Sequence, residues 1–139
     1  MRLSMLVLML AAALLQPAPP PLRTVGKGPM SAIDQPRQVT VRTAAEWAAL
    51  WKQNGVNAPL PAVDFSREMV VGVFSGSRPT AGYGVEIVRA IGNSGALVVE
   101  YVESRPLRDA ITAQILTAPY HLAAMPKHDG TVTFKRVDK

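Results

Sequence analysis

The chain has 139 residues and a net charge of +5, with 15 Lys or Arg against 10 Asp or Glu and no cysteine. That length suits one domain, and without cysteine there is neither a disulfide framework nor a thiolate zinc site. The basic residues are scattered among carboxylates with no aromatic platforms between them, which argues against the concentrated stripe of a nucleic-acid binder.

The N-terminus places Arg2 ahead of an unbroken apolar run, Met5–Leu15, that prolines 17, 19, 20 and 21 bring to an end. One basic residue before so short a run, with no basic stop-transfer cluster behind it, predicts a signal peptide over residues 1–18 rather than a membrane span. The expected location is therefore periplasmic or secreted, with no stable membrane span after cleavage. Residues 19–30 are rich in Pro, Gly and basic residues without periodicity and read as a flexible arm. A single domain is expected over 31–139.

Gln38–Arg42 alternates like a short strand. Thr43-Ala44-Ala45-Glu46 is a capping box, and Trp47, Leu50 and Trp51 follow at i, i+3 and i+4. Asn54-Gly55 suits a left-handed helix end. A helix this short persists only by burying its apolar stripe, so both tryptophans are expected in the core. Residues 57–65 read as an extended connector. Met69–Phe74 is apolar on both alternating faces, as in a strand covered on both sides.

Ser75–Gly84 holds three glycines and a proline between two strands. Glycine permits positive φ, and proline removes a donor. A loop carrying Arg78, Pro79, Thr80, Gly82 and Tyr83 on a rigid scaffold is a candidate binding surface. Val85–Ile91 follows as a strand with Tyr83, Val85, Ile87 and Ile91 on one face. Asn93-Ser94-Gly95 then turns the chain into Ala96–Glu103, the second arm of a hairpin. Ser104–Asp109 reads as a loop, and Ala110–Thr117 as a strand with Ile111, Ala113 and Ile115 on one side. Tyr120–Met125 and Thr131–Val137 flank Pro126–Gly130 and read as a hairpin with an Asp-Gly turn. The sum is an α+β domain, a mainly antiparallel sheet of about six strands with one packed amphipathic helix.

Chemistry is sparse. The two histidines, His121 and His128, offer too few convergent ligands for a metal. Ser75 and Ser77 lack a nucleophile elbow, and the glycines lack the Gly-Lys-Ser/Thr ending of a phosphate loop. No catalytic residue, metal ligand or cofactor site is assigned.

One resemblance adds to this. Phe65, Arg67 and Met69-Val70-Val71, then Gly76, Arg78-Pro79-Thr80-Ala81-Gly82-Tyr83, then Leu97-Val98-Val99 and Thr117-Ala118-Pro119-Tyr120-His121-Leu122, make a succession that resembles the PrcB C-terminal family. It covers roughly Phe65 to Phe134. The Pro-Thr-x-Gly-Tyr and Pro-Tyr-x-Leu elements are its most specific parts. The family is named for a lipoprotein subunit that stabilises a bacterial surface protease complex, so the resemblance implies a small, exported, non-catalytic domain with a protein partner in the cell envelope, a protease among the candidates. The contact surface would be the Gly76–Gly84 loop with neighbouring Pro119 and Tyr120. No lipobox cysteine is present, so anchoring like that of the named subunit is not expected. The competing reading is a small-ligand-binding or hydrolase-like domain using the same loop. A deep pocket with convergent polar groups would favour it, and a shallow surface would favour a protein partner.

Overall fold

The computed structural model describes residues 18–138, so the apolar run Met5–Leu15 lies outside the described residues. In chain order the elements are β1 (Arg23–Gly28), β2 (Arg37–Val41), α1 (Ala44–Asn54), β3 (Glu68–Phe74), β4 (Gly84–Gly92), β5 (Ala96–Ser104), β6 (Tyr120–Pro126) and β7 (Thr131–Arg136). The strands form two sheets, β1-β6-β3-β2 and β4-β5-β7, every pairing antiparallel except β5 with β7. The fold class is α+β and mainly β.

α1 forms where the capping box lies. The Thr43 hydroxyl accepts from the Glu46 N–H at 3.2 Å and donates to the Glu46 carboxylate at 2.9 Å. Gly55 closes the helix in the left-handed region at φ 70°. The helix lays Trp47, Leu50 and Trp51 on one face of the first sheet, against Val70, Phe74, Tyr120, Leu122 and Ala124. The indole N–H of Trp47 donates to Pro61 O at 2.9 Å and that of Trp51 to Ala58 O at 3.0 Å. The 57–65 connector is thereby strapped over the helix, and each polar edge of a buried ring is satisfied.

The other face of β3 and β6 presents Met69, Val71, Val73, Ala123 and Met125 to Val85, Ile87, Ala90, Leu97, Val99 and Tyr101 of the second sheet. The layers therefore run helix, sheet, sheet, with β3 and β6 buried on both faces, as the doubly apolar run predicts.

His121 joins the two sheets. Its Nδ1 accepts from the Ile87 N–H of β4 at 2.8 Å, so its Nε2–H donates to Thr24 Oγ1 of β1 at 2.8 Å. The ring is buried, and burial, with Lys27 nearby, pushes its pKa down to about 4 against a partial upward pull from Glu86.

Four expectations are corrected. The segment read as a flexible arm contains β1, which pairs with β6 along its length. Its Gly26 and Gly28 leave room for the rings of Trp51 and Tyr120, and that packing, which residue periodicity does not report, holds it in the sheet. β6 and β7 are not a hairpin. Pro126 ends β6 without a donor, and the chain crosses to the second sheet to pair with β5. Arg42 Nη2 secures the crossing by donating to His128 O at 3.1 Å and Gly130 O at 2.9 Å. Ala110–Thr117 is not a strand and leaves Ile111, Ile115 and Leu116 exposed, Ile111 fully. It joins neither sheet and lies along the Gly76–Gly84 loop instead. Finally, the β4 register shifts between Ile87 and Arg89, a bulge that reverses the alternation. Ala90 therefore points inward and Ile91 outward.

Candidate functional site

The Ser75–Gly84 loop leaves the end of β3 and is tied down from several sides. Ser75 N–H donates to Pro119 O at 2.9 Å and Ser77 N–H to Asp34 O at 2.9 Å. Arg78 and Thr117 exchange backbone bonds at 2.7 and 2.9 Å, and Ala81 N–H donates to Ala113 O at 3.0 Å. The Thr117 hydroxyl adds a bond to Thr80 O at 2.8 Å. So the irregular 105–117 segment substitutes for a strand by fixing this loop. Gly82 lies at φ 93°, and a Cβ there would stand 2.9 Å from Pro106 Cγ. Gly82→Ala combines a left-handed backbone with that clash and is expected to destabilise the fold by about 1–3 kcal/mol, read as a fall in the urea midpoint. An unchanged midpoint would show that the loop relaxes freely.

The fixed loop places Arg78 at a cleft of about 380 Å³ whose lining also includes Pro79, Tyr83, Glu103, Arg105 and Arg136. Arg78 is half-buried. Its guanidinium carbon lies 5.9 Å from the Tyr83 ring centroid, within cation–π range. Its Nη2 is 3.6 Å from Glu103 Oε2, and Arg136 Nη1 approaches the same oxygen at 3.3 Å. One carboxylate at the end of β5 thus aligns an arginine from the loop and one from β7. The cleft is polar and open to solvent.

Of the residues singled out in the sequence, Arg78, Pro79 and Tyr83 line this cleft. Thr80 and Gly82 shape its loop, the Thr80 hydroxyl donating to Ala81 O at 2.9 Å. Pro119 and Tyr120 do not reach the surface. Tyr120 is 4% exposed and stacks on Phe74 with ring centroids 6.1 Å apart, beneath α1. Their proximity in sequence to the loop's partner segment is real, but strand alternation turns Tyr120 inward. Arg78 is not a free side chain on the loop but is engaged by Glu103. Glu103, Arg105 and Arg136 were not singled out. Each sits on a different part of the chain from the loop, and no local spacing reports their convergence.

Both histidines are committed to structural bonds. His121 bridges the sheets as described, while His128 Nδ1 accepts from the Gly130 N–H at 3.1 Å and its Nε2 bonds Asn93 O at 2.6 Å. The Ser75 hydroxyl is buried without a hydrogen-bond partner, so no base engages it. Among the described residues no helix is long and apolar enough to cross a membrane.

No curated protein and no solved structure matches the chain. The PrcB C-terminal family does, over residues 69–126. The matched stretch begins in β3, runs through the Arg78–Tyr83 loop, β4 and β5, and ends with β6, so it contains both central strands of the first sheet and most of the cleft. Over this stretch the chain is similar to the PrcB C-terminal family.

Proposed function

We propose that the chain is an exported, non-catalytic accessory domain that binds a protein partner in the cell envelope and stabilises its complex, a protease complex being the case that the family's name suggests. The observation that carries this reading is the rigidly held Arg78–Tyr83 pair at the mouth of a polar cleft. Arginine and tyrosine are the side chains that most often dominate protein interfaces, and here both are oriented before any partner arrives. The engagement of both histidines in internal bonds supports a binding role over a catalytic one. The leader-like N-terminus supports export.

The test separates binding from folding. Arg78→Ala removes a half-exposed ion pair and a cation–π contact, so it is expected to cost no more than about 1 kcal/mol of stability. Its loss of partner affinity is expected to be about thirtyfold, the effect of removing a central interface arginine. Tyr83→Ala should act in the same direction. The measurement is chemical crosslinking and co-purification from envelope fractions of the source cells, beside urea unfolding of each variant. If both folded variants retain every partner of the unaltered protein, the reading is wrong.

A further inference from the structure

The cleft carries an unbalanced set of charges. Three guanidinium groups, from Arg78, Arg105 and Arg136, line it together with a single carboxylate, that of Glu103. Glu103 uses one oxygen for both Arg78 and Arg136. Arg105 makes no ion pair among the described residues. Positive charge therefore exceeds negative in a space large enough for a side chain or a chain terminus. A planar guanidinium presents paired donors that match a carboxylate.

We propose that the cleft is a carboxylate-binding site, and that it takes an acidic side chain or the C-terminal carboxylate of a partner polypeptide against the Tyr83 ring. Glu103 shows that the Arg78 and Arg136 guanidiniums already converge on a carboxylate oxygen. The segment that carries Arg105 continues into exposed Leu107 and Ile111, which favours a polypeptide with aliphatic residues beside its acid over a small free anion. The proposal rests on the reading of this face as the partner surface and adds the chemistry that the surface recognises.

The full chain, labelled with nitrogen-15, is titrated with three acetylated hexapeptides rich in leucine and followed by NMR. The first carries an internal glutamate and an amidated end, the second glutamine and an amidated end, the third glutamine and a free C-terminal carboxylate. Inorganic phosphate is the fourth ligand. The expected result is saturable shifts of the Gly84 and Ser104 amides with one or both acid-bearing peptides, at least about tenfold tighter than with the neutral one. The comparison of the first with the third identifies the source of the carboxylate. Raising salt from about 50 to about 300 mM should weaken the binding several-fold. Arg105→Gln and Arg136→Gln should each lose about tenfold while unfolding at the unaltered urea midpoint. Equal affinity for neutral and acidic peptides, absence of binding by all three, an unchanged affinity in Arg105→Gln, or tighter binding of phosphate than of either acid would overturn the carboxylate site. If it fails while Arg78→Ala still loses its envelope partner, the partner surface stands without this chemistry. If the acidic peptides bind and Arg78→Ala keeps every partner, the site stands and the partner surface lies elsewhere.

Discussion

Trp47→Ala is expected to lower the stability of the fold by about 3–5 kcal/mol. Trp47 is 2% exposed, its ring lies 5.7 Å from that of Trp51, and its N–H holds the connector at Pro61 O. Truncation removes the apolar contact with the first sheet, leaves a cavity under α1 and strands the Pro61 carbonyl. A domain of this size has only about 5–15 kcal/mol in hand, so the loss is a large share of the total. Trp47→Phe separates the contributions. It keeps most of the ring volume and loses the hydrogen bond, so it should cost roughly 1–2 kcal/mol. Urea unfolding followed by circular dichroism measures both. A loss below about 1 kcal/mol for the alanine variant would mean that α1 contributes little to the core.

Acid is expected to loosen the same fold through His121. The folded-state pKa is depressed from 6.5 to about 4, first by burial and then by Lys27. The unfolded chain therefore binds the proton that the folded chain refuses, and stability is fully present above pH 6.5 and falls as pH drops toward 4. At about 1.4 kcal/mol per pH unit, the loss accumulates to roughly 3 kcal/mol across that window. The structural reason is that Nδ1 accepts the Ile87 N–H, and a proton on it would put two donors face to face between the sheets. His121→Gln is expected to flatten the dependence in this window, whatever its own stability at neutral pH. Unfolding midpoints at a series of pH values between 7 and 4.5 test this, and equal slopes for the two proteins would refute it.

How much was legible in the sequence differs from element to element, and the differences have physical causes. The helix with its cap and its tryptophan stripe is visible because its signals lie within one turn of each other. The β4–β5 hairpin is visible for the same reason, since Asn93 Oδ1 accepts from the Gly95 and Ala96 N–H groups and so closes the turn locally. The expected hairpin at Pro126–Gly130 failed although it carries an Asp-Gly pair. A turn signal says that the chain bends, but which strand it then meets depends on apolar surface elsewhere, here the core between the two sheets against which Val132 and Phe134 pack. Ile111, Ala113 and Ile115 alternate as a strand would, yet alternation becomes a strand only where the backbone pairs with another strand, and here the Ala113 and Thr117 backbone groups bond the Gly76–Gly84 loop instead.

The candidate site divides along the same line. Arg78, Pro79 and Tyr83 are marked in the sequence because glycine and proline around them force an irregular backbone between two strands. Backbone geometry and local apolar pattern are properties of neighbours in the chain, so the capped helix, the doubly buried β3 and the loop itself follow from the residues alone. Glu103 comes beside Arg78 through the β4–β5 pairing, and Arg136 joins them only because β7 lies parallel to β5, a pairing between distant parts of the chain. Tyr120 is withdrawn from the surface by the helix that stacks over it. Both outcomes depend on which surfaces bury one another, and burial is a property of the folded whole that no spacing along the chain encodes.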